Sequence, residues 1–170
     1  MSSPILIVDY DPQWPELFPR EADRIRGVLG MRALRIEHTG STSVAGLAAK
    51  PVIDIVLVVR NSGEEDAYLP LLDAAGYALR IREADWHEHR MFKGPDTDIN
   101  LHVFSSRSPE IDRILLFRDW LRDNPADREL YARTKLALAL KEWKNIEGYA
   151  DAKSAGIEEI LARARAGQSV

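Results

Sequence analysis

Residues 37–59, EHTGSTSVAGLAAKPVIDIVLVV, decide how the rest of the chain is read. Just upstream, Ala33 to His38 alternates Leu34 and Ile36 with Arg35 and Glu37, which predicts a short strand. A loop of small residues, Thr39 to Ser43, follows, and Val44 to Ala49 is expected to form one helical turn. Pro51 to Val59 is then β-branched and apolar on both faces apart from Asp54, the pattern of a central buried strand. Gly40 lets the backbone approach a ligand closely. The loop N–H groups and the Ser41 and Thr42 hydroxyls can cradle a phosphate, and Lys50 can add a compensating charge. Asp54, alone among apolar neighbours, needs hydrogen bonds, a cation or a metal ion. The alternative is a plain strand–turn–strand in which Ser and Thr satisfy their own backbone and Asp54 touches solvent at a strand end.

Working outward, Pro15 suits a first helical turn, and Leu17, Phe18, Ala22, Ile25, Val28 and Leu29 recur at helical spacing up to Gly30. After the central strand, Asp66 to Ala75 reads as a helix ended by Gly76, and Tyr77 to Arg82 as a strand. Trp86 to Lys93 and Asp98 to Phe104 are two more strands, joined by the turn Gly94-Pro95-Asp96-Thr97. From Ser108, an N-cap followed by Pro109 and Glu110, the pattern turns helical. Helices are expected from there, over Ala126 to Trp143 and over Tyr149 to Ala164, with a frayed tail at Gly167 to Val170. Trp120 and Trp143 read as helix-packing residues. The order predicts one α+β domain with a mixed sheet and a helical C-terminal third.

At 170 residues the chain can bury roughly 70% of its unfolded surface. Its 45% apolar and 29% charged residues are ordinary globular values. The absence of cysteine excludes disulfides, thiol nucleophiles and cysteine-bound metals. The N-terminal stretch has neither a charged n-region nor an apolar h-region, and no apolar run approaches a bilayer span, which predicts a cytoplasmic protein without membrane partners. A net charge of −4 argues against broad nucleic-acid binding and leaves room for a local basic pocket.

The stretch IEHTGSTSVAGLAAKPVIDI resembles the GrpB family, as do DINLHVF, LLFRDWLRDNP, YARTKLAL and YADAKSAGIEEIL. The resemblance runs in order from about Ile7 to Leu161. It implies a nucleotidyltransferase-like fold, and some relatives are fused to dephospho-coenzyme A kinase. It implies that Gly40 and Ser41 hold a triphosphate and that Asp54 is the first acid of a metal-binding pair. The second acid would stand at position 56, where this chain has Val56, and the third on the later strand, where Asn100 and His102 stand. One Asp cannot hold two Mg²⁺ ions, so a standard two-metal transfer is in doubt.

All four histidines, His38, His87, His89 and His102, fall in or beside the motif strands. His87 and His89 are two apart and would share a strand face, as would Asn100 and His102. If these faces meet Asp54, a His/Asp site can bind Zn²⁺, Mn²⁺ or Fe²⁺, which accept imidazole better than Mg²⁺ does; the cofactor expected is a divalent metal, Mg²⁺, Mn²⁺ or Zn²⁺. Otherwise His38 and His102 hydrogen-bond within the pocket while His87 and His89 are solvated. Arg90 and Lys93 on the hairpin can meet phosphates or serve as edge-strand charges. Lys135 and Lys153, with Tyr131 and Tyr149, match the family pattern and can close over a nucleotide, though solvated helix faces are the ordinary place for lysines. Three functions follow: metal-dependent nucleotidyl or phosphoryl transfer to a small molecule, a catalytically degenerate nucleotide- or metabolite-binding module, or an accessory role through an exposed apolar stripe on the C-terminal helices.

Overall fold

The computed structural model describes residues 6–140 and 146–168. Five strands, β1 (Arg35–Thr39), β2 (Ile53–Val59), β3 (Ala78–Glu83), β4 (His89–Lys93) and β5 (Ile99–Ser105), form one sheet in the order β1-β2-β5-β4-β3. β2 and β5 pair in parallel and the other neighbours antiparallel. The helices are α1 (Trp14–Leu29), α2 (Leu69–Ala74), α3 (Pro109–Asp123), α4 (Pro125–Ala139) and α5 (Ile146–Gln168). This is the α+β architecture expected, with the C-terminal third helical.

Strand alternation divides the molecule into two layers. Ile53, Ile55, Leu57 and Val59 of β2, with Ile99, Leu101 and Val103 of β5, pack under Ala22, Ile25 and Leu29 of α1 and Leu72 of α2. The intervening residues, Asp54, Val56 and Val58 with Asn100, His102 and Phe104, face the other way. There Val56, Val58 and Phe104 pack on Ile111 and Leu115 of α3. A third cluster, Val44, Leu47, Leu121, Tyr131 and Ile160, ties the loop after β1 to the helical third. The entries of α1 and α3 are encoded locally: Pro15 and Pro109 sit in first turns, and Ser108 Oγ accepts from the Glu110 N–H at 3.3 Å.

Several boundaries differ from the expected ones. The helical turn lies at Ser41–Ser43 rather than Val44–Ala49, because the Ser43 and Val44 N–H groups bond the Gly40 and Ser41 carbonyls. The stretch expected as a helix over 66–75 splits into a 3₁₀ turn, Glu65–Ala67, and α2, with Pro70 in the helix's first turn. The strand expected from Trp86 starts only at His89, since His87 and Glu88 have φ of 53° and 48° and form a turn. α5 starts at Ile146 and carries Gly167 within it, so the expected fraying there is not seen. The helix expected over 126–143 ends earlier, α4 stopping at Ala139 with Leu140 as its C-cap, while Trp143 and positions 169–170 lie outside the described residues. Among the described residues, no helix is long and apolar enough to cross a membrane.

Candidate functional site

The loop between β1 and β2 is built around one close approach. Gly40 has φ +69°, and a Cβ placed there would lie 2.5 Å from Asp54 Oδ2. Glycine is therefore required both by the backbone conformation and by the carboxylate against it. The turn is held from within by Ser43 Oγ, which donates to the Gly40 carbonyl at 2.5 Å. It is held from outside by α3. Arg122 donates twice to the Ser43 carbonyl, at 3.0 and 2.8 Å, and Arg118 donates to Glu37 Oε2 and to the His38 carbonyl.

Between this loop, the outer ends of β2 and β5, and helices α3 to α5 lies a cavity of about 690 Å³. Gly40, Ser41 and Thr42 line it on one side, Asp54, Asn100 and His102 form its floor, Lys135 and Lys153 approach from the helical side, and Lys50 from the segment that enters β2. Lys135 is 3% exposed. Its Nζ donates to Ser41 Oγ at 2.7 Å and to the Ala48 carbonyl at 2.6 Å, and lies 4.8 Å from the Tyr131 ring centroid. An ammonium has three donors, so one is left without a partner among the described residues. Burial, reinforced by the Lys153 charge, pulls Lys135 down to about 7. Burial also lowers Lys153, against the opposing pull of Asp54. Lys50 and Lys153 both stand over the Tyr149 ring, at 5.6 and 5.9 Å. None of the three lysines has a carboxylate within ion-pair range among the described residues.

On the floor, four side chains form a file across the sheet. His102 Nε2 lies 3.2 Å from Asp54 Oδ1, His102 Nδ1 lies 2.9 Å from His89 Nε2, and His89 Nδ1 lies 2.8 Å from Glu83 Oε1. The two imidazoles are stacked, and the His89 ring also stacks on Phe104. Burial holds His89 below the usual histidine range.

The structure thus brings Asp54, His89, Asn100 and His102 to one face with Gly40, Ser41, Thr42, Lys50, Lys135 and Lys153, and leaves the other expected residues elsewhere. His38 pairs in register with Ile55, one residue off from Asp54, and so points to the α1 face. There it stacks on Phe18 and shares a 2.9 Å hydrogen bond with Thr42 Oγ1, and burial lowers it to about 4. His87 sits in the turn before β4, 3.7 Å from Glu110, not on a strand beside His89. Arg90 also faces away: it is 6% exposed and donates to Glu65 Oε2 and the Glu88 carbonyl. Lys93 donates to Asp98 and to Asn100 Oδ1, touching the site only through Asn100. Among the described residues, no three His, Asp or Glu side chains converge as a metal site.

Sequence reasoning did not find Glu83, Trp86, Arg118 or Arg122. Trp86, partly exposed, lines the cavity mouth and meets His89 edge-on at 5.2 Å between ring centroids. Nothing in the local pattern marks Trp86 or Glu83. The i, i+4 spacing of Arg118 and Arg122 places them on one helix face and was the available signal for the clamp. Trp120 packs with the third cluster as expected, its Nε1 donating to Asp127 at 2.7 Å.

Comparison with known proteins agrees with this architecture. A UPF0157 protein of Halalkalibacterium halodurans is 62% identical over 162 residues, covering 95% of this chain and 83% of the relative. The crystal structure of the conserved protein GrpB from Enterococcus faecalis superposes with a TM-score of 0.85 at 33% identity, covering 97% of this chain and all of the other. A dephospho-CoA kinase of Mycolicibacterium paratuberculosis is 30% identical over 188 residues, covering 95% of this chain but only 46% of the kinase. The family model described as GrpB protein matches residues 4–163, and the chain belongs to the GrpB family.

Proposed function

We propose that this protein binds a nucleotide or a similar phosphorylated small molecule in the cavity between the Gly40–Ser43 loop and the C-terminal helices. The observation that carries this reading is Lys135: a lysine buried to 3% exposure, aimed at the loop serine, with no carboxylate in ion-pair range among the described residues. A buried ammonium without a counter-charge is costly, and an anionic ligand supplies the missing partner. Lys50 and Lys153 extend the same field across the cavity, and Ser41 and the loop amides offer donors at its edge. A cavity of about 690 Å³ falls in the range of small-molecule sites.

Binding is favoured over two-metal nucleotidyl transfer by one specific observation. Position 56, where the fold's second acid would stand, holds Val56, which is packed in an apolar cluster with Phe104 and Ile111. The test is a thermal-shift panel of ATP, GTP, CTP, UTP and coenzyme A precursors. A ligand at 100 times its dissociation constant adds about 2.7 kcal/mol, or roughly 5–10 °C at this size. Lys135→Met is expected to fold normally and lose the shift. No shift with any ligand, or a full shift retained in Lys135→Met, overturns the reading.

A further inference from the structure

A nucleotidyltransferase-like site implies divalent cations, and whether these residues could hold one is decided by what the donors already do. Asp54 Oδ1 lies 3.2 Å from His102 Nε2, and Oδ2 stands where a Cβ at position 40 would meet it at 2.5 Å. His102 spends its other nitrogen on His89, and His89 its other nitrogen on Glu83. The Asn100 side-chain oxygen accepts from Lys93. His102, His89 and Asn100, the side chains that could join Asp54 around an ion, each already hold a partner at hydrogen-bond distance, and Val56 offers no ligand atom. Mg²⁺ and Mn²⁺ favour several oxygen ligands near octahedral geometry, which this set does not supply.

A cation seated on Asp54 Oδ1 would have to break its 3.2 Å link to His102. Among the described residues, the remaining charges that face the cavity and lack an ion pair are Lys50, Lys135 and Lys153, all positive.

We infer that the ligand enters this site free of a divalent cation, its phosphate charge met by Lys50, Lys135 and Lys153, with Asp54 linked to His102 and not serving as a metal anchor. The ligand class is then an uncomplexed pyrophosphate or nucleotide polyphosphate tail. A magnesium complex, having given up much of its charge to the ion, suits a three-lysine site less well. This inference rests on the phosphate-binding reading above.

Calorimetric titration separates the two. Inorganic pyrophosphate and ATP are each titrated into the full chain, once with excess chelator and once with excess Mg²⁺ or Mn²⁺. Affinity in chelator is expected to equal or exceed that with metal, a coupling factor of about one or below. Lys153→Met is expected to weaken binding in chelator by about tenfold, the loss of one charge-assisted contact. Binding seen only with metal, or strengthened about tenfold or more by it, overturns the inference while leaving the phosphate site standing. Absence of binding under both conditions overturns both.

Discussion

On the α1 face of the sheet, Arg90 is buried between Glu65 and the Glu88 carbonyl, and His38 is stacked on Phe18. On the opposite face, Lys135 is buried as deeply but, among the described residues, has only Ser41 and a backbone carbonyl as hydrogen-bond partners. Both faces are made by the same strands, in alternate residues. The first answers each buried charge with an opposite one: Arg82 and Arg90 together hold Glu65 down to about 2. The second gathers three lysines and sets its one central acid, Asp54, against a histidine. Buried charge that the protein satisfies itself is part of the fold, whereas buried charge left for something else to satisfy marks a site.

This contrast can be broken at several points. The largest effect on stability is expected on the closed face, where Phe92→Ala removes a fully buried ring and costs about 3–5 kcal/mol in denaturant unfolding. A smaller stability loss with unchanged m-value would show that the face is less tightly packed than it looks. Across the sheet the equivalent insult moves a different quantity. Lys135→Met is expected to cost roughly 100-fold in ligand affinity, about 2.7 kcal/mol, while leaving the melting temperature unchanged or higher. A clear drop in melting temperature would instead make Lys135 structural.

Gly40→Ala tests the boundary between the two, since the added Cβ meets Asp54 Oδ2 in a left-handed backbone. It is expected to cost about 1–2 kcal/mol of stability and to weaken ligand binding together with it.

The pH responses differ in the same way. His38 is held near 4, below its ordinary value of 6.5, so the unfolded chain takes up the proton first. Its stabilising contribution is complete above 6.5 and is lost as the pH falls from 6.5 towards 4. His38→Gln is expected to flatten that acid limb. Lys135 is held near 7, below 10.5, so stability from this residue rises between those values. Ligand affinity falls over the same window, because an anion prefers the charged amine. Buffer-dependent calorimetric enthalpies near neutral pH would report the proton taken up on binding, and identical enthalpies in all buffers would contradict it. The smallest effect is expected from Lys93→Met, which breaks a half-exposed ion pair with Asp98 and changes stability by less than about 1 kcal/mol.

Much of this architecture could be read from the chain. The run from Ile53 to Val59 is apolar enough to be nothing but a central strand, and Ser108-Pro109-Glu110 announces α3 in three residues. The loop's glycine, its serine and Asp54 were legible as a unit. What the sequence hid was parity across strands. His38 stands one residue from Thr39, the register partner of Asp54, and that single step puts it on the other side of the sheet. His87 and His89 are two apart but flank the end of a left-handed turn, so the strand rule did not apply to them. Lys135 and Lys153 were visible through the family resemblance alone. Their burial comes from how α4 and α5 pack, and no periodicity records which lysine of a helix ends up without water.

The most direct test is a crystal structure of the full chain grown with inorganic pyrophosphate. Phosphate oxygens are expected within hydrogen-bond reach of Lys135 Nζ and the Ser41 side chain, with Lys50 and Lys153 turned towards them. Pyrophosphate bound on another surface, with Lys135 still directed only at Ser41 and Ala48, would contradict the account.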